Sequence, residues 1–133
     1  MSWDVSICKF PQHYATVDEI PSDQMPIPLG TRAEIHRAVL EVFPGTDWKG
    51  PVWGVWDSEY GAIEFNLGDS DPLEGFMLHV RAGAEVVGGI VQLCIDNGWQ
   101  GVDLNTGEFV EVVEDPEQGL ELWRAFRDRI LSP

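Results

Sequence analysis

The sequence predicts an α+β fold, in which a mostly antiparallel sheet of five or six strands carries two or three helices packed on one face. Several runs alternate apolar and polar residues, as half-buried strands do, and other segments repeat apolar residues at helical spacing. The strand-like runs in the middle of the chain have short connections, which favour antiparallel pairing. With 133 residues, the chain has the usual length of one domain, so we expect residues 1–133 to form a single domain.

The first quarter of the chain predicts a strand, a loop and the start of a helix. Residues Trp3–Ile7 alternate apolar and polar side chains, which indicates the first strand. Residues 11–30 contain several prolines and are predicted to form a long irregular loop, and loops of this length are often functional. Thr31 and Glu34 have capping-box spacing, so a helix is predicted to begin here and to end at Pro44.

The middle of the chain contains three predicted strands and a second helix. The strands are Val52–Trp56, Ala62–Leu67 and Phe76–Arg81. The helix is predicted over Ala84–Asp96, and the glycine that follows it shortly afterwards suits the left-handed end of a helix. Gly88–Gly89 lowers helix propensity inside this segment, and we interpret the pair as close packing of the helix onto the sheet.

The last third of the chain predicts two more strands and a third helix. Residues Val102–Leu104 and Phe109–Val113 are strand-like, and a turn sequence separates them. Asp115 and the proline after it are typical of a helix start, and apolar residues continue at helical spacing as far as Ile130. The predicted order is therefore β-α-β-β-β-α-β-β-α.

Acidic residues dominate the charged side chains, with 23 Asp and Glu against 8 Lys and Arg, a formal net charge of −15. Between Gly50 and Trp123, Arg81 is the only base beside fifteen acids. A negative field of this size repels nucleic acid and anionic membranes and accelerates encounter with a basic protein or a cation. A basic protein is therefore the partner that the sequence favours, with no nucleic acid and no membrane. Acidity that serves only solubility is the alternative.

The chain has no recognisable targeting or membrane segment. Its first residues lack the basic and apolar regions of a secretory signal, and its longest apolar-biased stretch, Val86–Ile95, is too short to span a membrane. Cys8 and Cys94 lie in apolar contexts that favour reduced core thiols. We therefore expect a cytoplasmic protein.

Motifs for metals, cofactors and nucleophiles are incomplete, so we predict no metal and no cofactor. The segment Asp69–Asp71 begins like a calcium loop, but Glu74 and Val80 occupy the positions of the turn glycine and the bidentate glutamate. No zinc spacing, phosphate loop, dinucleotide fingerprint or nucleophile elbow is present. The sequence assigns no catalytic residue.

Polar side chains of two neighbouring strands form the best candidate site. If the strands at 62–67 and 76–81 pair, Glu64, His79 and Arg81 share the face that points away from the helices. A carboxylate, an imidazole and a guanidinium within reach of one another could perform acid–base chemistry or hold an anion. The alternative is a solvated sheet face with a Glu–Arg cross-strand pair.

Aromatic residues near these strands extend the candidate site. Trp53 and Trp56 are three residues apart in one predicted strand, so they point to opposite faces. We expect one of them in the core and the other exposed near Tyr60, and exposed aromatic side chains among acids are typical of a protein-binding surface. The candidate binding residues are Trp53, Trp56, Tyr60, Glu64, His79 and Arg81.

Short segments spread over nearly the whole chain resemble a family of small, acidic, uncharacterised bacterial proteins. The segments are Met1–Val5, Phe43–Trp48, Trp53–Trp56, Ile63–Leu67, Met77–Arg81, Gly98–Trp99 and Thr106–Phe109. This resemblance implies no established activity and no catalytic residue. In size, acidity and α+β layout alone, the chain is similar to immunity proteins that neutralise toxins.

Three functional hypotheses follow from these observations. The first is a non-enzymatic acidic binding protein that engages a basic protein, as an immunity protein or an inhibitor does. The second is a small enzyme or ligand-binding domain centred on Glu64, His79 and Arg81. The third is a subunit of a larger assembly, in which acidity serves solubility. A pocket at the three residues would favour the second hypothesis, and a large apolar patch would favour the third.

Overall fold

Six strands form one antiparallel sheet in the computed structural model, which describes residues 1–131. The strands are β1 (Trp3–Cys8), β2 (Asp47–Gly50), β3 (Trp53–Ser58), β4 (Gly61–Asn66), β5 (Phe76–Ala82) and β6 (Gln100–Asp103). Their spatial order is β2-β3-β4-β5-β1-β6, and every neighbouring pair is antiparallel. The predicted α+β class is therefore confirmed.

Three α-helices accompany the sheet: α1 (Arg32–Val42), α2 (Val87–Asn97) and α3 (Glu117–Leu131). Helix α1 begins with the predicted capping box. The Thr31 hydroxyl accepts a hydrogen bond from the Glu34 backbone N–H, and the Glu34 carboxylate accepts one from the Thr31 backbone N–H. No helix among residues 1–131 is long and apolar enough to cross a membrane.

The core lies between one face of the sheet and helices α1 and α2. Alternate strand residues are buried on this face, which is the period-two pattern of a sheet covered on one side. Phe65 on β4 lies 5.7 Å from the Phe43 ring at the end of α1, measured between ring centroids. Helix α3 instead contacts β1 and the 3-10 turn Ala84–Val86, and its residue Gly119 approaches the side chain of Asp103 at the end of β6.

The structure differs from the prediction at both edges of the sheet. The sequence predicts no strand at Asp47–Gly50, because only one residue there is strongly apolar, and the strand geometry of β2 comes from pairing with β3. The predicted strand Phe109–Val113 is wrong. Only Phe109 forms a bridge, to Val102, and the backbone then turns so that Val112 N–H and Val113 N–H both donate to the Phe109 carbonyl.

The two glycines of α2 also differ from their predicted role. A Cβ atom on Gly89 would lie 2.9 Å from Cζ of Phe43 and 3.7 Å from Cγ1 of Val42, whereas a Cβ on Gly88 would meet no atom within 4 Å. The close contact is thus with the end of α1 and not with the sheet. It requires only Gly89, because Gly88 faces open space.

The outer edge of β6 is covered by the segment that follows it. The backbone N–H of Val110 donates to the Gly101 carbonyl at 2.8 Å. The Glu111 carboxylate accepts from the Gly101 backbone N–H at 2.8 Å and from the Gln100 side-chain amide at 3.0 Å. At the opposite edge, the short strand β2 has a register shift between Trp48 and Gly50.

Both cysteines of the chain are free thiols. Cys94 is buried in α2, whereas Cys8 is half-buried at the end of β1 and its Sγ donates to the Gln100 carbonyl at 3.6 Å. Burial raises the pKa of the Cys8 thiol from 9.0 to about 11, and the nearby Glu111 carboxylate adds to this effect. Burial likewise raises the pKa of Cys94, so both thiols are poor nucleophiles at neutral pH.

We expect Cys8 to react slowly with alkylating reagents. In Cys94→Ala protein, reaction with iodoacetamide near pH 8 should be about 100-fold slower than for a free thiol of pKa 9.0, because a shift to about 11 lowers the thiolate fraction by that factor. The raised pKa also stabilises the folded state below pH 9, and this contribution is lost as pH rises through 11. Mass spectrometry measures the rate of alkylation. The substitution Cys8→Ser should reduce the loss of stability at alkaline pH. A rate equal to that of a free thiol would contradict the assignment.

Candidate binding surface

The sheet face opposite α1 and α2 carries most of the candidate residues, and we call it the open face. Its side chains are half-buried or exposed, and they belong to four adjacent strands. They are Asp4, Ser6, Trp53, Val55, Asp57, Ala62, Glu64, Asn66, Met77, His79 and Arg81. The strand register places Glu64 directly between Val55 and His79, and it places His79 directly beside Asp4.

Glu64, His79 and Arg81 lie together on the open face, but they do not form one hydrogen-bonded group. Arg81 Nη1 donates to Glu64 Oε1, which makes a diagonal cross-strand ion pair. His79 Nδ1 is instead hydrogen-bonded to Asp4 Oδ1 at 2.9 Å, and the Ser2 hydroxyl donates to the same carboxylate oxygen. Asp4 is a member of the site that the sequence reasoning missed.

The two tryptophans of β3 point to opposite faces. Trp53 lies on the open face, with its ring centroid 6.1 Å from that of His79 and an angle of 28° between the planes. Trp56 lies on the helix side and meets the Phe43 ring edge-on at 5.0 Å, so it belongs to the core and not to the candidate surface. Tyr60 lies in the turn between β3 and β4, where 48% of it is exposed.

Two cavities touch the ends of the open face: one is lined by Ser6, Asn66 and Met77, and another by Asp4. Among the residues that the structure describes, cavities of about 320, 280 and 190 Å³ occur, and none of them is lined by Glu64, His79 or Arg81. A small-molecule site normally encloses most of its ligand in a cleft. The part of the open face around Glu64, His79 and Arg81 is thus better suited to contact another macromolecular surface than to enclose a substrate.

Most acids of the central region are exposed. Twelve of the fifteen between Gly50 and Trp123 are exposed: Asp57, Glu59, Asp69, Asp71, Glu74, Glu85, Asp96, Glu108, Glu114, Asp115, Glu117 and Glu121. Three of these exposed acids have partners: Asp71 accepts from the Arg32 backbone N–H at 3.0 Å, Asp96 accepts from the Gln92 side-chain amide, and Glu121 pairs with Arg124. The other three of the fifteen are less exposed and also have structural partners. Glu64 pairs with Arg81, Glu111 caps the edge of β6, and Asp103 accepts from the backbone N–H groups of Asn105 and Thr106. Arg81, the one base in this region, is therefore already paired.

Neither a metal site nor a known relative explains the surface. No group of three or more His, Cys, Asp or Glu side chains within residues 1–131 has an arrangement that could hold a metal ion. Comparison with protein-family models, with curated proteins and with solved structures finds no match to this chain.

Proposed function

We propose that this chain is a non-enzymatic binding protein that engages a basic protein through the open face and the adjoining turn at Asp57–Tyr60. The observation that carries the proposal is the exposed acidity of the central region, to which the proposed surface contributes Asp57 and Glu59, and whose one base, Arg81, is paired with Glu64. An immunity protein or an inhibitor of a basic toxin is the kind of binding protein that such a surface suits. A cytoplasmic location stays a prediction.

The turn and the open face would contribute differently to such a complex. Asp57 and Glu59 are exposed at the rim, where charge mainly accelerates encounter and makes it dependent on salt. Trp53 and Tyr60 offer aromatic surface of the kind that dominates affinity when a partner buries it. The same carboxylates repel phosphate groups, which disfavours nucleic acid as a partner.

Titration against a panel of small basic proteins tests this proposal. We expect a complex whose association rate falls with ionic strength, and we expect Asp57→Asn with Glu59→Gln to lower that rate on the order of tenfold at low salt. Trp53→Ala should accelerate dissociation on the order of tenfold. Surface plasmon resonance measures both rates.

A matched control removes the same charge elsewhere. Asp69 and Glu74 are exposed in the loop after β4, at the end of that strand opposite the Asp57–Tyr60 turn. Asp69→Asn with Glu74→Gln should leave the association rate within about twofold of the original, since the two exposed charges lie outside the proposed surface. The proposal fails if no basic protein binds, if binding is independent of salt, or if both pairs have the same effect.

A second candidate function is a small ligand-binding or enzymatic site at Glu64, His79 and Arg81. The contacts of His79 with Asp4 and Trp53 favour it, because they hold the imidazole in one orientation. A ligand of this site should raise the melting temperature, and alanine at the three positions should abolish that shift. An unchanged shift would exclude the site.

A further inference from the structure

Helix α3 buries only part of its apolar surface. Leu120 and Trp123 are buried against the domain, whereas Leu122, Phe126 and Ile130 are 53%, 45% and 61% exposed. These three recur every four residues, so they form a continuous stripe along the helix, which we call the α3 stripe. Single exposed apolar residues are ordinary, but a continuous helical stripe is typical of a helix that packs on a partner.

The α3 stripe is continuous with the cavity of about 320 Å³, which we call the α3 groove. Leu122 belongs to both features. The apolar lining of the groove also includes Val110, Val113 and Pro116. Its acidic lining consists of Asp103, Glu108, Glu114 and Asp115, and no basic residue lines it. The groove therefore suits an occupant that is both apolar and basic.

The C-terminal half of α3 has these two properties. Three of the chain's eight basic residues lie there: Arg124, Arg127 and Arg129. At 3.6 residues per turn, Arg129 lies about 20° around the helix from Leu122, beside the stripe, whereas Arg124 lies about 160° away. Arg127 lies on the side of the helix that faces the domain, where it covers the Trp123 ring at 5.3 Å and pairs with Asp128, and Arg124 pairs with Glu121. Arg129 is therefore the arginine that borders the stripe.

We propose that a second copy of this chain occupies the α3 groove, so that two α3 helices pack antiparallel in a twofold-symmetric dimer. In this arrangement Arg129 of each helix lies against the acidic groove of the other, and each α3 stripe covers the apolar lining of the other. A parallel arrangement would bring like charges together. The α3 groove includes neither Glu64, His79 and Arg81 nor the Asp57–Tyr60 turn, so the dimer and the proposed basic partner use different residues.

The contact area indicates a weak dimer. Helix α3 has 15 residues and is therefore about 22 Å long, which places the contact at the low end of specific interfaces. The dissociation constant should be on the order of micromolar, because area at this limit leaves little surplus free energy after the cost of association.

Sedimentation velocity of the full chain, from about 1 to 500 µM, tests the proposal. We expect a concentration-dependent dimer. The substitution Ile130→Ser should raise its dissociation constant about tenfold or more. Ile95→Ser is the matched control, because Ile95 is 58% exposed on α2, and it should leave the constant unchanged. Melting temperatures show whether each variant is folded.

Charge reversal identifies the antiparallel arrangement. Arg129→Glu should weaken the dimer, whereas Arg124→Glu, with the same charge change on the far side of the helix, should not. Glu114→Lys should also weaken self-association. An equimolar mixture of the Arg129→Glu and Glu114→Lys chains should associate again, as a heterodimer. Monomer at every concentration, a dimer insensitive to Ile130→Ser, or a mixture that stays monomeric would each overturn the proposal.

Discussion

Replacing Phe65 with alanine should lower the free energy of unfolding by about 3–5 kcal/mol, the cost of deleting a buried aromatic ring. Phe65 is fully buried on β4, and its ring centroid lies 5.7 Å from that of Phe43 and 6.2 Å from that of Trp48. The substitution removes transfer free energy and also leaves a cavity between the sheet and α1. Domains of this size have only about 5–15 kcal/mol of stability, so a large fraction would be lost.

Urea denaturation monitored by tryptophan fluorescence measures this loss. Tyr60→Ala is the matched control, because it removes an aromatic ring that is largely exposed, and we expect it to cost less than about 1 kcal/mol. Equal losses in the two variants would contradict the assignment of Phe65 to the centre of the core. The Phe65 variant should also perturb Trp48, whose ring stacks on that of His36 with centroids 3.9 Å apart.

Replacing Gly61 with alanine should lower the free energy of unfolding by about 2–4 kcal/mol. Gly61 has a φ of +123°, and a residue with a side chain adopts this conformation only at a cost of about 1–3 kcal/mol. A Cβ atom there would also lie 2.3 Å from the Arg81 carbonyl oxygen and 2.6 Å from the Ala82 Cα, so β4 and β5 would have to separate. The separation would disturb Tyr60 and Arg81 together.

Gly88→Ala provides a control of opposite sign. Gly88 is in α2, and an added Cβ there would meet no atom within 4 Å. Alanine has the higher helix propensity, so this variant should gain up to about 1 kcal/mol. Thermal and urea unfolding should show a loss of stability in Gly61→Ala and a gain in Gly88→Ala. A destabilised Gly88→Ala protein would be inconsistent with the packing of α2.

Local patterns in the sequence predict the strands that are buried on one side and exposed on the other. Strands β1, β4 and β5 alternate buried and less buried residues, which is the pattern read from their side chains. Strand β2 lacks that pattern, because it is exposed at an edge and depends on pairing with β3. The valine-rich segment Phe109–Val113 has high strand propensity, yet its backbone turns after a single bridge to Val102.

The site was predictable only as far as neighbouring strands determine it. Glu64 and His79 share a face because β4 and β5 are consecutive and side chains alternate. Asp4 reaches His79 because β1 inserts between β5 and β6, a long-range arrangement that no local pattern encodes. Similarly, helical spacing assigns both Trp123 and Phe126 to the apolar residues of α3. It does not predict that Trp123 is buried whereas Phe126 is exposed.

The edges of the sheet restrict how this protein can associate. At one edge the segment through Glu111 occupies the free N–H and C=O groups of Gly101, and at the other β2 is short, bulged and charged at Asp47 and Lys49. Bare edges recruit strands from other chains and lead to domain swapping and fibrils. This sheet offers no such template, so concentrated protein should resist amyloid-type polymerisation, and its complexes should form through side chains and not by β-augmentation.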